Sequence, residues 1–272
     1  MLTRVDVQSE NPFYLQIRDA RPTDSIIVEK IEGLDPPNID LFIGDFARDG
    51  GYISGRRVPP RNVVLTLRLN PNYKLNESVS GLRTLLYKAF MDPFDGADSL
   101  TLRLRDDELP DRYVSGNVDK LESDIFDGDP VTTISMMCPN PYILDWNLSE
   151  FVGVGPQITF DYTGSAEVGF LAELEISGTT SYLTLDLNGR KMYLVYDFLS
   201  GDVVKVNTER GQRSITVTRS AVTTNILYAL SSTSTWLEIH RPTNLLKAYG
   251  LTDASLIADY SSLKFRTAHW GV

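Results

Sequence analysis

The stretch Asn62-Val-Val-Leu-Thr-Leu-Arg-Leu69 decides the fold class, because its residues alternate in polarity with a period of two. Valine or leucine stands at every odd position from 63 to 69, and Thr66 and Arg68 stand between them. Successive side chains of a strand point to opposite faces of a sheet, so this alternation is typical of a half-buried strand. Similar strand patterns occur at residues 100–105, 113–118 and 131–137. The first half of the chain is therefore predicted to be mainly β.

One helix is predicted in this half, over residues 76–91. Asn76 is the expected N-cap, and Glu77 would lie near the positive end of the helix dipole. Pro93 is expected to end the helix, because proline disfavours the α conformation in the residue before it. The apolar residues recur at three- and four-residue spacing, as on one face of an amphipathic helix, and are Val79, Leu82, Leu86, Ala89 and Phe90.

The second half, from about residue 151, has strand patterns and no comparable helical segment. Asn188-Gly189 predicts a hairpin turn, because both residue types tolerate positive φ. Short strands separated by turn residues favour a β-sandwich. The predicted strands cover residues 166–177, 183–187, 191–195, 202–206, 214–218 and 263–270.

The stretch Met137-Cys-Pro-Asn-Pro-Tyr142 ends the strand pattern of the first half. Pro139 and Pro141 cannot donate hydrogen bonds to a neighbouring strand, and they keep the backbone extended and stiff. We therefore predict a domain junction here, in which Cys138 and Tyr142 accompany the two prolines. The stiff backbone is expected to hold the two domains within a narrow range of orientations.

A chain of 272 residues is long enough for two domains, and the junction divides it into residues 1–145 and 146–272. The first part has 24 acids and 16 bases, the second 12 and 10, and together they give the net charge of −10. Such a chain is a poor candidate for binding nucleic acid or an anionic membrane, because phosphates are repelled. No stretch approaches the roughly 20 apolar residues of a spanning helix, and the N-terminus lacks a signal-peptide pattern. We expect a soluble protein made in the cytoplasm, with no membrane partner.

No catalytic or metal-binding motif stands out. The histidines, His240 and His269, do not have metal-ligand spacing, and the single cysteine cannot complete a zinc site or an internal disulfide. Phosphate-binding loops and nucleophile elbows are missing. Surface turns explain the acids at 106–108 and 127–129 better than calcium binding does, because EF-hand spacing is absent. We therefore expect no enzyme activity, no cofactor and no metal.

An ordered set of segments within residues 25–145 carries a resemblance to a known family. The segments are Ile31–Pro37, Asp49-Gly50-Gly51, Arg56–Thr66, Gly81–Leu86, Leu100–Leu104 and Met137–Tyr142. Together they resemble the distal tail protein (Dit) family of long, non-contractile-tailed bacteriophages. The second half is similar to the galectin-like C-terminal domain of that family only in its general pattern of strands and turns.

The resemblance implies an N-terminal β-sandwich-like domain with one α-helix, followed by a C-terminal galectin-like β-sandwich. It implies a structural protein of the phage tail tip, located in the virion, without catalysis. Family members form a hexameric ring that joins the tail tube protein to tail-tip or baseplate hub proteins, and DNA leaves through its channel without specific binding. The N-terminal domain would form the ring, and its acids, densest from Asp92 to Asp129, would make the channel wall negative.

Two other functions stay open. A carbohydrate-binding module that aids host recognition is indicated by four residues close in sequence, since sugar sites combine an aromatic platform with planar polar side chains. These residues are Trp236, His240, Arg241 and Asn244, and they do not reproduce the sugar-binding pattern of galectins. A glycan hydrolase with two catalytic acids is the more remote alternative.

Overall fold

The computed structural model describes residues 1–9, 13–17, 24–46, 49–91, 99–123, 130–250 and 258–272. It confirms the mainly β fold, and within these residues the α-helix is α1, Val79–Met91. The chain forms two compact units: unit 1 contains Met1–Trp146 and His269–Val272, and unit 2 contains Asn147–Ala268. In the part of the chain described, no helix has the length and hydropathy needed to cross a membrane.

Unit 1 is built around one large antiparallel sheet and a separate hairpin. Its strands before the boundary are β1 (Leu2–Gln8), β2 (Phe13–Gln16), β3 (Ile26–Glu32), β4 (Asp40–Asp45), β5 (Gly51–Arg57), β6 (Arg61–Leu69), β7 (Leu100–Asp106), β8 (Arg112–Ser123), β9 (Val131–Cys138) and β10 (Ile143–Asp145). The sheet has the order β2-β1-β7-β8-β9-β6-β3, with β10 paired to β8, and the hairpin is β4-β5.

The core of unit 1 follows the alternation read from the sequence. The odd-numbered residues of β6, from Val63 to Leu69, are at most 2% exposed. Residues 112–116 of β8 pair with β7 and residues 117–123 pair with β9, so the strand joins the two parts of the sheet. Both parts and α1 contribute to one core, in which the predicted helical face is buried through Leu82, Leu86, Ala89 and Phe90.

The helix begins later than predicted. Ser78 is the N-terminal cap of α1, because its Oγ accepts a hydrogen bond from the Gly81 N–H at 3.1 Å. The predicted N-cap, Asn76, instead has a φ of 59° and follows a short 3-10 helix, Tyr73–Leu75. Asparagine tolerates this left-handed conformation, which places it at a turn rather than at the start of the helix. Pro93 lies outside the described residues.

Unit 2 consists of two antiparallel sheets. Its strands are β11 (Ser149–Gly155), β12 (Gln157–Asp161), β13 (Leu171–Ile176), β14 (Thr180–Leu187), β15 (Arg190–Phe198), β16 (Val203–Asn207), β17 (Ser214–Arg219), β18 (Val222–Asn225), β19 (Thr243–Tyr249) and β20 (Ala258–Phe265), and the chain ends with β21 (Ala268–His269). One sheet has the order β11-β20-β13-β16-β17-β18 and the other β12-β19-β14-β15.

The two sheets of unit 2 share a single core, which confirms the predicted β-sandwich. Phe160 and Leu185 from the four-stranded sheet belong to the same buried cluster as Leu174 and Phe265 from the six-stranded sheet. The turn predicted at Asn188-Gly189 joins β14 to β15, and both residues have positive φ, 56° and 89°.

The end of the chain is placed differently from the sequence-based division. The prediction assigned residues 146–272 to the second domain, whereas His269–Val272 belong to unit 1 and β21 pairs with β10. In sequence, unit 2 therefore lies between β10 and β21, and these two strands pair with each other. The sequence pattern did not reveal this return, because strand pairing between distant segments leaves no local periodicity.

Candidate functional site

The predicted junction surrounds one buried arginine. Arg61 begins β6, is 3% exposed and lies opposite Cys138 in the β6–β9 register. Its guanidinium donates hydrogen bonds to backbone carbonyls from four separate positions in unit 1. Nε donates to Pro141 at 2.8 Å, Nη1 donates to Asp35 at 2.8 Å and also to Gly33, and Nη2 donates to Trp270. One side chain thus connects the proline segment, an early turn and the end of the chain.

The electrostatics of this arginine and its neighbouring cysteine are set by burial. Burial lowers the pKa of Arg61, while the nearby Cys138 and Asp35 oppose that shift. Burial also raises the pKa of the Cys138 thiol to about 11, although the positive charge of Arg61 acts in the opposite direction. A fully buried thiol with such a pKa stays protonated near neutral pH, so Cys138 is suited to packing rather than to nucleophilic chemistry.

The proline segment contacts other parts of unit 1. β9 ends at Cys138, immediately before Pro139. The Asn140 Oδ1 accepts a hydrogen bond from the Tyr142 N–H at 3.0 Å, and the Tyr142 ring meets the Trp270 ring edge-on at 5.1 Å. The structure therefore brings the predicted junction residues Cys138, Pro141 and Tyr142 close to Arg61 and Trp270. Their contacts fix the end of the chain in unit 1.

A second set of contacts holds the same C-terminal segment. The His269 Nε2 lies 3.0 Å from the Asp145 Oδ1, and the Arg112 Nε lies 3.6 Å from that oxygen. Arg112 also donates a hydrogen bond to the Gly271 carbonyl at 3.3 Å, and the Val272 N–H donates to the Leu34 carbonyl at 3.2 Å. His269 is thus a strand residue in an internal polar contact. Sequence reasoning missed this cluster because its members are far apart in the chain, as with Asp145 and His269.

The hairpin β4-β5 exposes a group of large apolar side chains on unit 1. The large apolar side chains on or beside this hairpin are each more than half exposed, and they are Leu41, Phe42, Ile43, Phe46, Tyr52 and Ile53. Phe46 and Tyr52 contact each other, with ring centroids 5.5 Å apart. An isolated two-stranded hairpin is marginally stable, and a contiguous exposed apolar patch is typical of an interaction surface. The sequence analysis noted Asp49-Gly50-Gly51 here as part of the family resemblance, but it did not predict this exposure.

The four candidate carbohydrate contacts differ in exposure: Arg241 is exposed, Trp236 and His240 are half-buried, and Asn244 is buried. Trp236 packs against the core of unit 2, and the Arg213 guanidinium lies 5.0 Å from the centre of its ring. The His240 Nδ1 is 3.1 Å from the Glu238 carbonyl oxygen. The side chain of Trp236 is therefore engaged in packing and in a cation–π contact.

Asn244 is the clearest departure from the predicted sugar site. It is fully buried, its Nδ2 donates to the Arg241 carbonyl at 2.6 Å, and its Oδ1 accepts from the Asn188 Nδ2 at 2.9 Å. Both ends of the amide are used inside unit 2, so Asn244 supports the turn beside β19 instead of facing a ligand. Nearness in sequence did not indicate which face of the strand each side chain occupies. Among the described residues there is no group of three or more histidine, cysteine, aspartate or glutamate residues able to hold a metal.

Comparison with known proteins gives one family match and several similar folds. Residues 163–262 match the model of the siphovirus-type tail component, C-terminal domain. The whole chain is similar to the crystal structure of the SPP1 Dit (gp 19.1) protein, described as a paradigm of the hub adsorption apparatus in phages that infect Gram-positive bacteria. The TM-score is 0.66 with 15% identity, over 98% of this chain and 99% of that one.

A weaker similarity links the chain to the phage P2 baseplate in its activated conformation with Ca. The TM-score is 0.47 with 8% identity, over 98% of each chain. No curated protein sequence matches the chain significantly.

Proposed function

We propose that the protein is a ring component of a phage tail tip, because residues 163–262 match the model of the siphovirus-type tail component, C-terminal domain, and the fold of the whole chain is similar to that of SPP1 Dit. The predicted resemblance to distal tail proteins is thereby confirmed, and it supports a structural role in the tail or baseplate of the virion. The proposal adds six copies in a ring, a channel for DNA, and contacts with the tail tube on one side and tip or hub proteins on the other. We propose that the role is non-catalytic and that unit 2 corresponds to the galectin-like domain.

The exposed hairpin β4-β5 is the observation that carries the ring proposal. Its apolar side chains are more than half exposed on both strands, and an exposed apolar surface of this kind is typical of a contact with a partner. In a ring, each copy meets the next through two different surfaces, and the ring closes when the rotation between copies is correct. We propose that the hairpin of one copy lies against unit 1 of the next copy.

The charge of the first half supports passage of DNA through the ring without binding. Residues 1–145 carry 24 acids and 16 bases, a net charge of −8. Acidic side chains on a channel wall repel phosphates, whereas lysine or arginine would bind them and release counterions. The acids at 92–98 and 124–129 lie outside the described residues, and Asp111 is paired with Arg103. The negative channel wall is thus a proposal that rests on the net charge of this half.

Substitutions at two equally exposed residues test whether the hairpin forms the contact between copies in the ring. Ile43 on the hairpin is 67% exposed, and Val222 on the edge strand β18 of unit 2 is 66% exposed. Ile43→Asp should prevent incorporation into tails in a complementation assay, because it places a charge in the proposed interface. Val222→Asp should leave incorporation unchanged. Normal assembly of the Ile43→Asp variant would exclude the hairpin as the contact between copies.

Carbohydrate binding is the second candidate function. The predicted group of Trp236, His240, Arg241 and Asn244 gives it little support, since Asn244 is buried and Trp236 is packed. A different location in unit 2, a cleft lined by Tyr196, Arg219 and Tyr228, has the appropriate chemistry.

A further inference from the structure

A cleft on unit 2 combines aromatic, charged and hydroxyl side chains. Its volume is about 530 Å³, and it is lined by Ser181, Val195, Tyr196, Asp197, Arg219 and Tyr228. These residues come from β14, β15, β17 and a short 3-10 helix, Leu227–Ala229. Ligand sites are typically concave, with apolar and aromatic walls and a few polar groups that fix orientation.

Two tyrosine rings line the cleft: the Tyr196 ring is packed and the Tyr228 ring is exposed. Tyr196 is partly buried, packs edge-on against Phe198 at 5.2 Å between ring centroids, and lies 5.9 Å from the Arg219 guanidinium. Tyr228 is 76% exposed, and neither its hydroxyl nor its ring has a polar or aromatic partner among the described residues. An exposed tyrosine presents a flat apolar face together with a polar tip.

The polar part of the cleft is held in place before any ligand binds. The Arg219 Nε and Nη2 donate to the Asp202 carboxylate at 2.8 and 2.6 Å, and Nη2 also donates to the Asp197 carbonyl at 2.7 Å. Asp202 is 1% exposed, which makes this a rigid support for the guanidinium. The Arg219 Nη1, the Asp197 carboxylate and the Ser181 hydroxyl make no hydrogen bond to any residue described. These three groups are available to a ligand.

The charges of the cleft decide the class of ligand. Asp202 compensates the charge of Arg219, and the exposed Asp197 adds one further negative charge, so an anionic ligand would be repelled. A neutral ligand with several hydroxyl groups can accept from Nη1, donate to the Asp197 carboxylate and exchange hydrogen bonds with Ser181. Its apolar C–H face can lie on the Tyr228 ring. We propose that this cleft binds a neutral saccharide.

The test uses the full chain on a printed array of neutral and anionic glycans. The strongest neutral glycan is then titrated in saturation-transfer NMR against the parent and two variants, Tyr228→Ala and Asp197→Ala. Each variant should weaken binding about tenfold or more, through loss of the stacking face or of a charged hydrogen-bond acceptor. Tyr73→Ala is the matched control, because Tyr73 is 73% exposed on unit 1, and it should bind like the parent.

The results of this experiment decide for or against saccharide binding in the cleft. Neutral glycan binding that both cleft variants weaken and the control retains would support the proposal, provided that circular dichroism melts of all four proteins agree. Binding of anionic glycans alone, no binding to the array, or equal affinity of the parent and Tyr228→Ala would overturn it. None of these results depends on ring formation, so they leave the proposed tail role to its own test.

Discussion

Replacing Arg61 by alanine should destabilise unit 1 more than any surface change on the same strand. The substitution leaves four carbonyl groups, those of Gly33, Asp35, Pro141 and Trp270, without their donor. A net loss of about 1 kcal/mol for each hydrogen bond gives a destabilisation of about 4 kcal/mol. The variant no longer buries a cation, and this reduces the destabilisation. We therefore expect a loss of about 3 kcal/mol in the free energy of unfolding. For a unit of this size, that corresponds to a fall in Tm of roughly 6–12 °C.

Tryptophan fluorescence can report this change in unit 1 alone. The three tryptophans are Trp146 and Trp270 in unit 1 and Trp236 in unit 2. In a Trp236→Phe background, urea unfolding followed by fluorescence therefore measures unit 1. The midpoint should shift to lower urea with an unchanged slope, because the surface exposed on unfolding stays similar.

Arg68 provides the matched control on β6. It is paired with Glu29 at the surface, and its side chain is 45% exposed. Such exposed ion pairs contribute up to about 1 kcal/mol, so Arg68→Ala should have a much smaller effect. If Arg61→Ala were no more destabilising than Arg68→Ala, the carbonyl contacts of Arg61 would not stabilise unit 1.

Three further predictions concern the C-terminal segment, the Asp202–Arg219 ion pair and the Cys138 thiol. Deletion of residues 269–272 should lower the Tm of unit 1 in calorimetry and leave the Tm of unit 2 unchanged. In the hydrogen bonds described, these residues contact only Asp145 and other parts of unit 1. A lower Tm of unit 2 alone would contradict this prediction. The hydrogen bonds from Arg219 hold the pKa of Asp202 below its usual range, so their stabilisation is present above the ordinary aspartate pKa of about 3.9 and is lost as pH falls through the lowered value. Asp202→Asn should therefore flatten the acid side of the pH–stability profile of unit 2, and an unchanged profile would count against the link. The Cys138 thiol, with its pKa raised to about 11, should react with a disulfide reagent at pH 8 only after unfolding in urea, whereas rapid reaction of the native protein would show that the site is accessible.

Features set by local pattern were predictable from the sequence. The alternation in β6, the apolar face of α1 and the Asn188-Gly189 turn each depend on residues close together in the chain, and the structure contains all three. The start of α1 was predicted wrongly because Asn76 and Ser78 are both good capping residues. Only the backbone conformation decides between them.

The contacts that connect distant segments were not predictable in this way. Arg61 was part of a quoted segment, but its carbonyl partners are up to 209 residues away. The same holds for the pairing of His269 with Asp145. The cleft around Arg219 and Tyr228 also combines side chains from separate strands, and no motif connects them. Long-range pairing leaves no periodic signal in a single sequence, so such sites emerge only from the fold.

Imaging of intact phage tails that contain this protein tests the proposed ring of six copies. The copies would be identified by a small tag inserted at the exposed turn of Gly211-Gln212, and the tail tip would be reconstructed by cryo-electron microscopy without imposed symmetry. We expect six copies in a closed ring around the tail axis, with the β4-β5 hairpin of each copy covered by its neighbour. A ring with a symmetry other than sixfold, or a hairpin that faces solvent in the assembled tail, would contradict it.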